Sequence, residues 1–146
     1  MQYLDAPDIR QRMEHIVQTV GMEHVDLTRV ACFRSIGTST RRIIARCHGL
    51  PKVMQLGLNT KAFYVIEMIS ERFDKMSPEE QTEVLIHELM HIPKNFGGGF
   101  RQHNLVCRRE VQKVHKLYKQ RCNPEAGNGS VLDQLKTAFK MNVEKE

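Results

Sequence analysis

The sequence predicts an α+β fold: one small sheet, mixed or antiparallel, packed on a central helix with further helices around it. Three observations carry this. Stretches rich in β-formers, partly alternating, fall at 27–36, 43–48 and 62–69, as half-buried strands do. Apolar residues recur at three- and four-residue spacing over 5–20 and 101–122, as in amphipathic helices. Between them, Ser77–Ile92 carries a full set of helix start and stop signals. At 146 residues the chain is expected to form a single domain with one core.

Asp5 is the expected cap of the first helix, Pro7 lies in its first turn, and Ile9, Met13, Ile16, Val17 and Val20 form its apolar stripe. Gly21 ends it, since glycine adopts the left-handed conformation without steric cost. Over Leu27–Ile36, Val30, Cys32 and Ile36 alternate with Ala31, Phe33 and Ser35, which suits a strand. Gly37–Thr40 reads as a turn, and Ile43–His48 as a returning strand. In a hairpin centred on Ser39 and Thr40, Cys32 and Cys47 would face each other, within reach of a disulfide; two small buried hydrophobes account for them as simply. Gly49-Leu50-Pro51 breaks that strand, and Lys52–Leu58 reads as another short one. Ala62–Ile69 also reads as a strand, although Phe63, Ile66, Ile69 and Phe73 have helical spacing. Ser70–Met76 links by a helical turn into the central helix. Arg101–Cys122 is expected to be one long helix, with Val106, Val111, Val114, Leu117 and Tyr118 apolar. Residues 123–130 read as a loop and 131–142 as a last helix capped by Ser130.

Apolar content of 40% and charged content of 27% suit a soluble globular protein. No apolar run approaches the ~20 residues of a membrane span. The first residues lack the basic and apolar regions of a secretory signal, so the expected location is cytoplasmic. Cysteines there are usually reduced, and no Cys-x-x-Cys pair is present to build a zinc ribbon. Net charge is +5, and Arg101–Arg121 holds seven Lys/Arg against one acid, Glu110. Such a flank attracts nucleic acid or acidic peptides, or is simply a solvated face; aromatic residues that would stack bases are not interleaved with it. Arg34, Arg41, Arg42 and Arg46 form a second basic cluster. It suits a phosphate or a substrate carboxylate, though surface arginines usually bind neither.

The chemistry concentrates in the central helix. Ser77 reads as its N-cap, Pro78 as its first position and Glu80 as its third, a capping box. Val84, Leu85, Leu89 and Ile92 supply its buried stripe, and Pro93 stops it. Within it stands His87-Glu88-x-x-His91. Histidines four apart lie on adjacent turns of one face and can hold one Zn2+. Glu88 is placed to address a water on the metal. A zinc site of this kind needs a third protein ligand and a position open to water. His103 is the first candidate, because Gly97-Gly98-Gly99 can turn the chain sharply back. Glu110 is its rival, and His115, Cys107 and His48 are more remote. With His103 as ligand, Glu110 is free to hold an imidazole N–H or to sit in solvent.

The run His-Glu-Leu-Met-His-Ile-Pro-Lys-x-Phe-Gly-Gly-Gly-x-Arg-x-His at 87–103 resembles the phage and archaeal metallopeptidase family, a set of small zincin-like proteins. Cys-Phe-Arg-Ser at 32–35 and Arg-Arg-Ile-Ile-Ala-Arg-Cys-His at 41–48 extend the resemblance to about residues 1–120. The order of helix, loop and later histidine is similar, more distantly, to that of the SprT-like (Spartan) proteases. The resemblance implies a minimal zincin-like metalloprotease fold, one Zn2+ held by His87, His91 and His103, and Glu88 as the catalytic acid and base. It also implies a peptide or protein substrate lying extended along the strand before the metal helix, about Phe63–Met68, because an unpaired sheet edge offers its backbone groups. The expected activity is zinc-dependent hydrolysis of peptide bonds by a zinc-bound water that Glu88 activates. Tyr118, His115 and Arg101 are the candidate oxyanion donors. The alternative is a zinc-stabilised module that binds nucleic acid or protein without turnover; Glu88 stands against it, since a structural site has no use for that carboxylate. A zinc hydrolase acting on another bond is the third reading.

Overall fold

The computed structural model describes residues 1–123. Its elements are β1 (Gln2–Asp5), α1 (Pro7–Val20), β2 (Val30–Ile36), β3 (Ala45–Gly49), α2 (Lys52–Leu58), β4 (Tyr64–Ile69), α3 (Ser70–Phe73), α4 (Pro78–Met90) and α5 (Arg108–Cys122). A 3-10 turn, Leu27–Arg29, leads into β2. The loop expected beyond Asn123 and the helix expected over 131–142 lie outside the described residues. The fold is α+β, with one mixed sheet in the order β1-β2-β4-β3. β2 and β4 run parallel, and the two outer pairs are antiparallel. α1 packs on β2, α4 on β3, and α5 lies against both helices. Met13, Ile16, Leu85 and Leu89 meet Cys32, Ile66 and Met68 in the core. Among the described residues no helix is long and apolar enough to cross a membrane.

The expected hairpin does not form. β4 lies between β2 and β3, so Cys32 and Cys47 both stand opposite Ile66, one on each side. Two strand spacings, about 9.5 Å, separate them, which is beyond the reach of a disulfide, and both thiols are free. Burial raises Cys32 to about 11 and Cys47 to about 12, so neither is a ready nucleophile. The most apolar strand takes the interior place: five of the six residues of β4 are buried, whereas β3 is half-exposed. The stretch around Phe63–Met68 is therefore not a sheet edge; on that side the open edge is β3.

Two further elements depart from the sequence reading. β1 is exposed along its whole length and so carries no apolar pattern. Asp5 pairs with Phe33 instead of capping α1, and Ala6 takes the cap position. Lys52–Leu58 is a helix, not a strand. Pro51 sets its entry, and Asn59 closes it in the left-handed region at φ 55°.

Strand alternation puts Glu67 on the sheet face away from Ile66 and Met68. It is buried, 2.8 Å from His48 Nε2 and 3.5 Å from Arg46. Burial pushes its carboxyl up, but the neighbouring Ser35 hydroxyl, His48 and Arg46 outweigh that and hold it below the ordinary value. The Ser35 hydroxyl has no well-aligned bond of its own among the described residues, so its effect is that of a nearby dipole. A depressed acid adds stability above its unfolded value and loses it as pH falls through the lower folded one. Glu67→Gln is expected to lower stability at neutral pH and to flatten the acid limb below about pH 4.5, the unfolded value. Urea unfolding across that range measures both effects.

Candidate metal centre

α4 begins as its sequence dictates. Ser77 Oγ accepts the Glu80 amide at 3.1 Å, and Glu80 Oε1 accepts the Ser77 amide at 3.0 Å. Leu85, Ile86 and Leu89 are fully buried, which leaves His87, Glu88 and His91 to line a cleft of about 890 Å³ beside β3. The helix ends at Met90, with His91 still right-handed as its C-cap. The two imidazoles thus stay on adjacent turns, their ring centroids 4.8 Å apart.

The third imidazole arrives on the glycine turn. Gly98 has φ 103°, and a Cβ there would overlap the Leu50 carbonyl, so only glycine fits. Gly49 at the end of β3 approaches as closely: a Cβ on it would lie 2.7 Å from the Gly98 carbonyl oxygen. Tyr64 fastens this contact, its hydroxyl accepting the Gly98 amide at 2.9 Å and donating to the Gly99 carbonyl at 2.7 Å. Gln55 Nε2 donates to the Gly97 carbonyl at 2.9 Å. The chain then meets α4 again, where the Arg101 amide donates to the His91 carbonyl at 2.8 Å. His103 follows, its ring centroid 4.7 Å from that of His91 and 5.6 Å from that of His87. One ring nitrogen from each of the three histidines lies within 4.8 Å of the others.

The residues fit a divalent ion. His91 Nδ1 lies 2.7 Å from the Arg101 carbonyl oxygen. A carbonyl only accepts, so Nδ1 carries the proton and Nε2 presents a lone pair. That Nε2 stands 3.1 Å from His87 Nε2, close to the roughly 3.4 Å between two nitrogens on one tetrahedral zinc. Burial, then the neighbouring His91 and His103, lowers His87 to about 4. Burial also lowers His91. Both rings are therefore neutral at neutral pH, the form that ligates metal. Glu88 is buried and has no hydrogen bond or ion pair to any described residue; burial alone raises its carboxyl to about 7.

The rival ligands are occupied elsewhere. Glu110 pairs with Lys113 and Arg109, His48 with Glu67, and His115 with Glu83 at 3.0 Å. Cys107, at the N-cap position of α5, makes no side-chain cap bond but lies outside the cluster of possible ligands. Glu110 does not hold an imidazole either; the Arg101 backbone does. The helix expected from Arg101 starts only at Arg108, because the Cys107 backbone is extended; before it, the Leu105 and Val106 amides close a separate turn on the Gln102 carbonyl. That turn buries Val106 and leaves His103 on a loop. Of the three candidate oxyanion donors, Tyr118 bonds His15 at 2.7 Å, His115 bonds Glu83, and Arg101 alone lines the cleft.

Tyr64 and Gln55 escaped the sequence reading, since a tyrosine in a strand looks like packing and the glycine run is accounted for by the turn alone. Tyr64→Phe removes one hydroxyl and strands a buried amide and a carbonyl, at a cost of about 1–3 kcal/mol. The expected result is lower stability in urea together with weaker metal binding in a chelator competition, because the loop that delivers His103 loosens.

The family model described as "Putative phage metallopeptidase" matches residues 1–122. No curated protein matches the chain, and no solved structure does. The match spans every described residue but the last, and with it the whole histidine triad, so the chain belongs to the Putative phage metallopeptidase family.

Proposed function

We propose that the protein is a zinc-dependent peptidase. The observation that supports this reading best is the convergence of three imidazoles beside Glu88, a buried carboxylate with no hydrogen-bond or ion-pair partner among the described residues. His87, His91 and His103 would hold the ion. Zinc in such a site supplies Lewis acidity for the scissile carbonyl and lowers the pKa of a water to about 7. Glu88 takes one proton from the attacking water as the new C–O bond forms. It passes that proton to the amide nitrogen as the C–N bond breaks, and so ends as it began. The Arg101 guanidinium is the donor available to the developing oxyanion. The substrate backbone lies along β3, whose residues 45–48 line the cleft and whose outer edge has no strand partner among the described residues.

Metal analysis of the purified protein, together with an unbiased peptide-cleavage screen with and without chelator, tests the reading. The expected result is one zinc per chain and cleavage that stops on chelation and returns on adding zinc. A zinc-loaded protein that cleaves nothing in the screen would support the non-catalytic alternative.

A further inference from the structure

The cleft that holds the imidazoles also collects arginines. Arg42 enters from the side of the open edge strand, Arg101 from the loop after the glycine turn, and Arg108 from the first turn of α5. None of the three guanidinium groups has a hydrogen bond or ion pair to a described residue. Of the three acids that line the cleft, Glu80 is committed to the Ser77 amide and Glu83 to His115, and Glu88 makes no ion pair with any of the arginines. Arg46, also in the cleft, already faces Glu67.

Unpaired like charges around one concavity repel each other and focus a positive field into it. An anionic guest relieves that repulsion, and arginine forks match carboxylates in bidentate geometry. The guest must also suit the apolar part of the wall, which includes Ile44, Val84 and Phe100. It must suit the backbone groups offered by β3 as well. Phe100 is the one Phe, Tyr or Trp lining the cleft, so there is no platform on which successive bases could stack.

Building on the peptidase reading, we propose that the cleft selects polypeptides with acidic side chains flanking the scissile bond. Arg42 and Arg108 are the specificity-determining residues. Arg42 reads the side of the substrate nearest the start of β3, and Arg108 the side nearest α5.

The test uses matched sets of quenched fluorogenic peptides, identical except that the flanking positions are Glu/Asp, Gln/Asn or Lys. The zinc-loaded full chain is compared with Arg42→Glu/Arg108→Glu, with Arg42→Gln/Arg108→Gln, and with a control charge reversal on the exposed outer face of α5, Lys116→Glu. The same peptides are titrated by fluorescence anisotropy against Glu88→Gln at low and high salt. The expected result is a preference for the acidic set in kcat/KM that falls roughly tenfold per reversed arginine and survives in Lys116→Glu. Binding of that set should weaken as salt rises. Hydrolysis with no charge preference, or a preference unchanged in both double variants, would overturn the proposal and leave the peptidase reading standing. Failure to cleave any set would sink the peptidase reading instead, and the binding titrations would then decide the charge preference alone. Single-stranded DNA that displaces the acidic peptides at lower concentration than they bind would overturn the proposal in favour of a nucleic-acid ligand.

Discussion

Glu88→Gln is expected to keep zinc and fold while losing peptide hydrolysis by about 10²–10⁴-fold, the usual contribution of a positioned acid–base group. The substitution preserves shape and removes only the ability to take and return a proton. Structural damage is not expected, because the Glu88 carboxyl makes no hydrogen bond or ion pair with any described residue. Burial disfavours its charged form, so a neutral amide in the same place costs the fold little. Single-turnover assays on the screen's best substrate, run beside zinc stoichiometry and a urea melt, separate the three effects. Full activity in the variant would remove Glu88 from the reaction.

His103→Ala is expected to lower zinc affinity by more than about a hundredfold, since loss of an outer partner of a ligand alone costs about 10–100-fold. Here a ligand itself is removed. His103 sits exposed on a loop, where substitutions usually change stability by no more than about 0.5 kcal/mol. The fold should therefore survive while the ion is lost. A competition titration with a chromophoric chelator measures the affinity, and Glu110→Ala serves as comparison. Zinc held as tightly in His103→Ala as in the parent chain would place the third ligand elsewhere and leave Glu88 without its proposed setting.

What could be read locally was legible in the chain. The capping box at Ser77 and Glu80, the stop at Pro93 and the left-handed Gly21 depend on neighbours a few residues away, and the structure has each of them. The strand around Val30–Ile36 and the stripe of α1 follow from burial of one face. The arrangement of strands could not be read this way. Nothing within residues 30–49 says that the partner of both flanking strands arrives only at Tyr64, so the nearest pairing, a hairpin, was the natural expectation. β1 offered no apolar pattern because it is exposed. In the candidate site, His87, Glu88 and His91 follow from spacing, and His103 is a candidate offered by the glycine run and the resemblance, but the groups that place it carry no such signal. Tyr64, Gln55 and the Arg101 carbonyl act through contacts across the fold, and their residue types carry no distinctive spacing.

The position of β4 has a consequence for how the chain comes together. Residues 30–36 and 45–49 are made first, yet the two are joined only when residues 64–69 are threaded between them. The last strand among the described residues is thus the keystone, and sheet closure is a non-local event of the kind that slows folding. The ligand helix follows that keystone within ten residues. During synthesis, then, Gln55 and Tyr64 emerge before the histidines, whereas the Arg101 carbonyl that orients His91 emerges after it.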